Sequence, residues 1–447
     1  MQKSEIFAAR VPRYTSYPTA PHFHAGIDQA IYRQWLAQLA PREPLSLYLH
    51  IPFCDTLCWF CGCHTSVVNN YAPVREYCDL LLKEIGLVAG ALGKRHPVRH
   101  IHWGGGSPTM LQPPDVARLN DEIRRRFDVA LDAEFAVEID PRGLTPACVD
   151  SMARAGLTRA SIGVQDCDPD VQKAINRIQS REETAGAIAM LRQAGVAGIN
   201  IDLLYGLPKQ TRESWETTLR FAMDLDPDRL AVFGYAHVPT FKKHQELIPA
   251  ALLPDLDTRL DLAEMAVRIL GSAGYTAVGL DHFAKPGDSM ARMAQDGTLA
   301  RNFQGYTIDN ASALIGLGAS AIGSLEQGYV QNAPAVPVYR AALANGLLPV
   351  ARGVALTPED RIRRHVIERL MCDLRVDLKA VCAQFEAPPS LFQPSLAALA
   401  DLAQMGAVSV KGMLVSIAPE WRTAARLVCA AFDTYLQQGG KKHSLSV

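Results

Sequence analysis

The chain of 447 residues contains no run of about 20 apolar residues, so no membrane-spanning helix is expected. Its opening, MQKSEIFAARVPRYTSYPT, mixes charges and prolines and lacks the apolar stretch of a signal peptide. Charge of one sign is also missing: 45 Lys and Arg stand against 46 Asp and Glu, a net charge of −1. Nothing global therefore points to nucleic acid or an anionic membrane as a partner. Cysteine is not scarce, at ten residues, but Cys78, Cys148, Cys167, Cys372, Cys382 and Cys429 are scattered singly, mostly among apolar neighbours. That pattern suits reduced thiols and a cytoplasmic location, not a disulfide scaffold. With 48% hydrophobic and 20% charged residues the composition is that of a globular protein, long enough for two or three domains.

The other four cysteines are crowded. Cys54, Cys58, Cys61 and Cys63 fall within ten residues in HIPFCDTLCWFCGCHT. The first three read C-x3-C-x2-C. Three thiolates at this spacing can hold a cubane iron–sulfur cluster and leave one iron without a protein ligand from the loop. Structural zinc is the rival, but it usually takes two C-x2-4-C pairs with a longer spacer. Cys63 is left open, as a fourth ligand or a nearby free thiol; the second keeps the cluster reactive and is preferred.

From about residue 45 to 285, β-rich runs alternate with helical patterns. The strands are expected at Leu45–Pro52, His100–Trp103, Glu134–Ile139, Arg159–Val164, Gly198–Leu204, Arg229–Tyr235 and Tyr275–Leu280. Tyr71–Leu92, Pro113–Phe127, Thr145–Ala155, Arg181–Ala194 and Arg212–Leu225 carry helical spacing between them. This predicts an α/β fold, an incomplete (β/α)6 TIM-like barrel open on one side. Polar groups follow successive strands: the cysteine loop, Gly104-Gly105-Gly106-Ser107, Glu138, Gln165, Asp202 and His237. They should converge on one rim, where such barrels build their sites. From Thr357 a C-terminal helical, winged-helix-like domain is expected. Its helices are placed at 357–374, 377–384, 389–405 and 420–437. A β-pair, Ala407–Val410 and Leu414–Ile417, turns at Lys411-Gly412. The domains are read as 1–40, 41–345 and 346–447.

The cysteine loop, Phe60 before its third cysteine, and the Gly104–Thr109 run one βα unit later resemble the radical S-adenosylmethionine (SAM) superfamily. Tyr14–Thr19, Tyr48–Cys54, Gly163–Asp166, Asn200–Pro208, Tyr235–His237, Arg301–Thr307 and Phe432–Leu436 are similar to the oxygen-independent coproporphyrinogen III oxidases, nearly end to end. The resemblance implies a [4Fe-4S] cluster on Cys54, Cys58 and Cys61, and two SAM molecules. It assigns Tyr48, Gly105, Glu138 and Ile322 to one SAM. It assigns Phe60, Gly106, Ser107, Gln165, Arg177, Asp202 and Ala236 to the other. It implies no side-chain acid or base; a 5′-deoxyadenosyl radical made from SAM oxidatively decarboxylates two propionates of coproporphyrinogen III to vinyls. It also implies an electron donor such as flavodoxin or ferredoxin, a monomer, and a C-terminal lid instead of a DNA reader. A haem chaperone, or another tetrapyrrole-acting radical SAM enzyme, is the alternative; a zinc-stabilised winged-helix regulator is the rival from another class.

On the residues alone, Glu138 could instead pair with Arg142, and Arg177 could be a solvated charge. Arg177 suits a methionine carboxylate because a guanidinium binds carboxylates bidentately. A substrate with four propionates needs cations at the barrel mouth, and Arg10, Arg13, Lys209, His237, Lys242 and Arg301 are candidates by position. The polar, aromatic segment Arg10–Thr19 is expected to fold over the substrate.

Overall fold

The structure is a computed structural model, and it describes residues 6–436. Its frame is a single twelve-stranded sheet. In chain order the strands are β1 (Leu45–Ile51), β2 (Pro97–Gly105), β3 (Asp128–Ile139), β4 (Arg159–Gln165), β5 (Gly198–Tyr205), β6 (Arg229–Gly234), β7 (Thr276–Val278), β8 (His282–Ala284), β9 (Ala313–Leu317), β10 (Ile322–Leu325), β11 (Gly328–Asn332) and β12 (Val350–Ala355). Across the sheet they run β12-β11-β10-β9-β1-β2-β3-β4-β5-β6-β8-β7. β1 to β6 are parallel neighbours, as the alternating pattern predicts. The two edges, β12 and β7, do not pair with each other, so the barrel stays incomplete.

Both flanks of the sheet differ from the expected pattern. The run at Tyr275–Leu280 is not another parallel strand; β7 pairs antiparallel with β8, which pairs antiparallel with β6. On the far side a seventh parallel strand, β9, lies against β1. It was missed because Ala-Leu-Ile-Gly-Leu is a short, wholly buried apolar run with no period to read. The expected C-terminal helices at 389–405 and 420–437 are broken into short pieces. Pro394 opens a new segment in the first, Trp421 is non-helical (φ −108) in the second, and residue 437 lies outside the described residues. The expected β-pair is present, with Gly412 in the left-handed region at φ 62, and gains a third strand, Arg375–Asp377.

Local chemistry fixes the helices between the strands. Thr145 accepts from Cys148 N–H at one helix start, with proline next and Gly156 closing the end at φ 101. Ser180 with Glu183, and Thr211 with Ser214, form reciprocal caps on the next two long helices. Burial alternates strictly along β4. Ala160, Ile162 and Val164 enter the core, while Ser161, Gly163 and Gln165 face a central cavity. A period of two thus separates the packed face from the working face. No helix among the described residues is long and apolar enough to cross a membrane.

Candidate functional site

At the carboxyl ends of the parallel strands lies a cavity of about 600 Å³. Cys54, Cys58 and Cys61 line it, with Phe60, Gly105, Gly106, Glu138, Gln165, Arg177, Asp202 and Ala236. The cysteine loop, Gly105, Gly106, Glu138, Gln165 and Asp202 thus converge on one rim as expected, while His237 does not line it. Tyr48, Ser107 and Ile322 are not part of the lining. The Tyr48 hydroxyl bonds His50 Nδ1 (3.0 Å), Ser107 Oγ bonds Thr109 Oγ1 (2.8 Å), and Ile322 packs against Phe23 and Tyr329. Gln165, at the exit of β4, has φ 69, a conformation costing about 1–3 kcal/mol in a non-glycine residue.

The glycine run is dictated by crowding. A Cβ on Gly106 would lie 2.5 Å from the Phe53 carbonyl oxygen, and one on Gly104 would lie 2.7 Å from the Glu138 carboxyl. Gly105 sits at φ 109 with His50 behind it. This closeness lets Gly106 N–H donate to Ile51 O (2.8 Å) and Ser107 N–H to Phe53 O (2.7 Å), joining the glycine loop to the strand leading to Cys54.

Glu138 does not pair with Arg142. It accepts from Gly105 N–H (2.9 Å) and meets His102 Nε2 (3.3 Å). Burial alone would raise its pKa, but these donors outweigh it and hold the carboxyl below its usual range. Asp202 goes the other way, up to about 6, because burial dominates the hydrogen bond from Ser161 and the nearby Glu138 charge adds to it.

Arg177 is buried, not solvated, and its carboxylate partner is Asp140. Nη1 and Nη2 reach the two Asp140 oxygens at 3.1 and 3.2 Å, and Nη2 also donates to Gly163 O (2.6 Å). The expectation of a guanidinium waiting for a methionine carboxylate is corrected to this extent: only Nε lacks a partner. Arg142 joins the same Asp140, and both arginines donate to Cys58 Sγ at 3.6 Å. Asp140 is absent from the expectations and Arg142 enters them only as a possible partner of Glu138, although Asp140-Pro141-Arg142 directly follows β3.

The thiols suit an iron–sulfur cluster. Cys58 Sγ accepts from the Arg142 and Arg177 guanidiniums. The hydrogen bond with Cys63 pulls the Cys61 thiol down, with Lys242 and His244 adding to it. Cys54 is pushed up to about 11 by burial, and a bound metal would displace its proton. Among the described residues no three His, Cys, Asp or Glu side chains close on a single ion.

The cavity's opposite end is cationic. Arg13, Arg301 and Arg426 line it, with Asp281 the acid among them. Arg301 Nη1 and Arg426 Nε and Nη1 are buried without a hydrogen-bond partner. Burial, and then the neighbouring Arg13 charge, lower Arg426 to about 10. Of the expected substrate cations, Arg13 and Arg301 are here. Arg10 and Lys209 are on the surface, Lys242 holds the Cys63 carbonyl (2.8 Å), and His237 bonds Tyr235; none of the four lines the cavity.

Comparison with known proteins agrees with this geometry. The radical SAM superfamily model matches residues 48–222. The oxygen-independent coproporphyrinogen III oxidase of Bradyrhizobium diazoefficiens is 49% identical, with 98% of this chain and 97% of the relative covered. The chain belongs to the oxygen-independent coproporphyrinogen III oxidase family. The Escherichia coli member is 40% identical over 97% of this chain and 95% of its own. The solved coproporphyrinogen III oxidase of Escherichia coli, described as a radical SAM enzyme, superimposes with a TM-score of 0.90 at 38% identity. It covers 96% of this chain and 100% of its own. The fold is thus the radical SAM partial barrel, and the cofactors of the family are a [4Fe-4S] cluster and SAM.

Proposed function

We infer that this protein is a radical SAM oxidoreductase that converts two propionates of coproporphyrinogen III to vinyl groups, giving protoporphyrinogen IX without oxygen in haem biosynthesis. The observation that carries it is the two-ended cavity: thiols, glycines and Glu138 at one end, and at the other Arg301 and Arg426, each with a buried guanidinium nitrogen left unbonded. When bound, the cluster and SAM supply a 5′-deoxyadenosyl radical for hydrogen abstraction from the propionate. Everything else falls to the chain. Cys54, Cys58 and Cys61 would hold the cluster, with Arg142 and Arg177 setting the charge around Cys58. Glu138 and Asp202 offer acceptors to ribose hydroxyls or an ammonium, and Gly105 and Gly106 let a ligand approach the strand ends closely.

Two SAM molecules remain the reading for this space, with Phe60, Gln165 and Ala236 on its walls; for Tyr48, Ser107 and Ile322 the cavity offers no support. Arg301 and Arg426 would take propionates through their unbonded buried nitrogens, with the exposed Arg13 beside them, since guanidiniums bind carboxylates bidentately. The chaperone alternative has no comparable support, because the named relatives match this chain nearly end to end. Ten cysteines, all unpaired, accord with a cytoplasmic location. A monomer served by an external one-electron donor completes the reading. The test is anaerobic. The protein should be brown and release 5′-deoxyadenosine from SAM only with a reductant, faster once coproporphyrinogen III is added. A colourless protein, or SAM cleavage indifferent to the porphyrinogen, overturns the inference.

A further inference from the structure

We propose that the outer face of the cysteine loop is a docking surface for an acidic one-electron carrier protein. This rests on the cluster reading above. The loop is a wall between two spaces: Leu57, Cys63 and Thr65 line the inner cavity and also an outer groove of about 440 Å³. A cluster held by the three cysteines would therefore lie one loop's thickness from the surface.

The groove has the character of a partner site. Its lining includes Lys242 and Lys243, with His64 and His244, and contains no Asp or Glu. Phe241, in the same lining, is 63% exposed. Two further exposed apolar side chains, Val67 and Val338, directly follow the lining residues Ser66 and Pro337. Apolar contacts beside the two lysines, Lys242 and Lys243, match an acidic protein and repel a second copy of the same surface. A small patch is also what brief electron-transfer encounters use.

The surface is attached to the ligand loop by three hydrogen bonds. Lys242 Nζ donates to Cys63 O (2.8 Å), His244 Nε2–H to Cys61 O (2.8 Å) and Gln245 Nε2 to Phe60 O (2.9 Å). A carrier seated on this segment touches groups bonded to the backbone between two cysteines. The step is one electron, lost by the reduced carrier and gained by the cluster; no atom or proton crosses.

The experiment compares wild type with Lys243→Glu and Phe241→Ser in the full-length reconstituted protein, using reduced flavodoxin as the probe. Stopped-flow spectra give the rate of cluster reduction at low and high salt, and titration gives the flavodoxin Kd. Both variants should bind flavodoxin and be reduced by it roughly ten-fold less well at low salt. Dithionite should reduce all three proteins equally, and the remote Lys411→Glu should match wild type. Equal flavodoxin rates and affinities in wild type and both variants would overturn the proposal. So would an equal loss in Lys411→Glu, or self-association that disappears in Lys243→Glu. A wild type that forms no cluster would strike instead at the cysteine-loop reading, while flavodoxin affinity would still report on the surface.

Discussion

Gly106 has almost no freedom. With the Phe53 backbone 2.5 Å from any Cβ, Gly106→Ala should cost about 1–3 kcal/mol in chemical denaturation and weaken SAM binding, because the strand carrying Cys54 must shift. A full-affinity, full-stability alanine variant would show that the crowding is relieved elsewhere. Cys58→Ala should lose most cluster absorbance and bound iron, with 5′-deoxyadenosine falling to background. Arg426→Gln belongs to the other end of the cavity. It should raise the KM for coproporphyrinogen III roughly ten- to a hundred-fold, the loss of a charged hydrogen bond, while leaving bound iron unchanged. Arg426→Lys should recover part of it. The cysteines, the glycines and Glu138 could be read from the sequence because each lies in a short motif at a strand end. Arg426 could not, since nothing near it in the chain distinguishes it from a surface arginine.

At the scale of elements, buried Glu84 joins four pieces. It stands on the helix Ala72–Leu92 and accepts from Gly318 N–H just after β9, from Asn332 on β11, and from Tyr339 on the following helix. Burial outweighs these donors and raises the carboxyl to about 7. A carboxyl raised above its unfolded value favours the fold most while protonated. This stabilisation is present at low pH and is lost as pH climbs from about 4.5 through about 7. Glu84→Gln should remove that dependence and cost about 1–3 kcal/mol, since one donor loses its acceptor. Thermal melts at pH 5 and pH 8 for both proteins decide it; identical pH dependence would contradict the assignment. The same elements explain what sequence reading missed. β1 to β6 announce themselves by alternation with capped helices, while β9 to β12 are short, and no helix intervenes between β9, β10 and β11 to mark them.

For the whole molecule, the N-terminal segment changes meaning. It was read as a flap over the substrate, yet Tyr14 and Tyr17 are buried in the C-terminal core. They bond Asp433 and Thr434 at 3.0 Å, and only Arg13 and Thr15 of the segment reach the cavity. Deleting the segment would therefore unpack the C-terminal region as well as uncover the site. Arg13→Gln is the cleaner variant: vinyl product should fall several-fold while uncoupled SAM cleavage persists, and loss of both together would make Arg13 structural. The most direct measurement is an anaerobic incubation of the reconstituted protein with SAM, reductant and coproporphyrinogen III, following carbon dioxide and protoporphyrinogen IX. The account predicts two carbon dioxide molecules for each protoporphyrinogen IX, and neither from Cys58→Ala. A brown protein that releases 5′-deoxyadenosine but forms no vinyl group would contradict it.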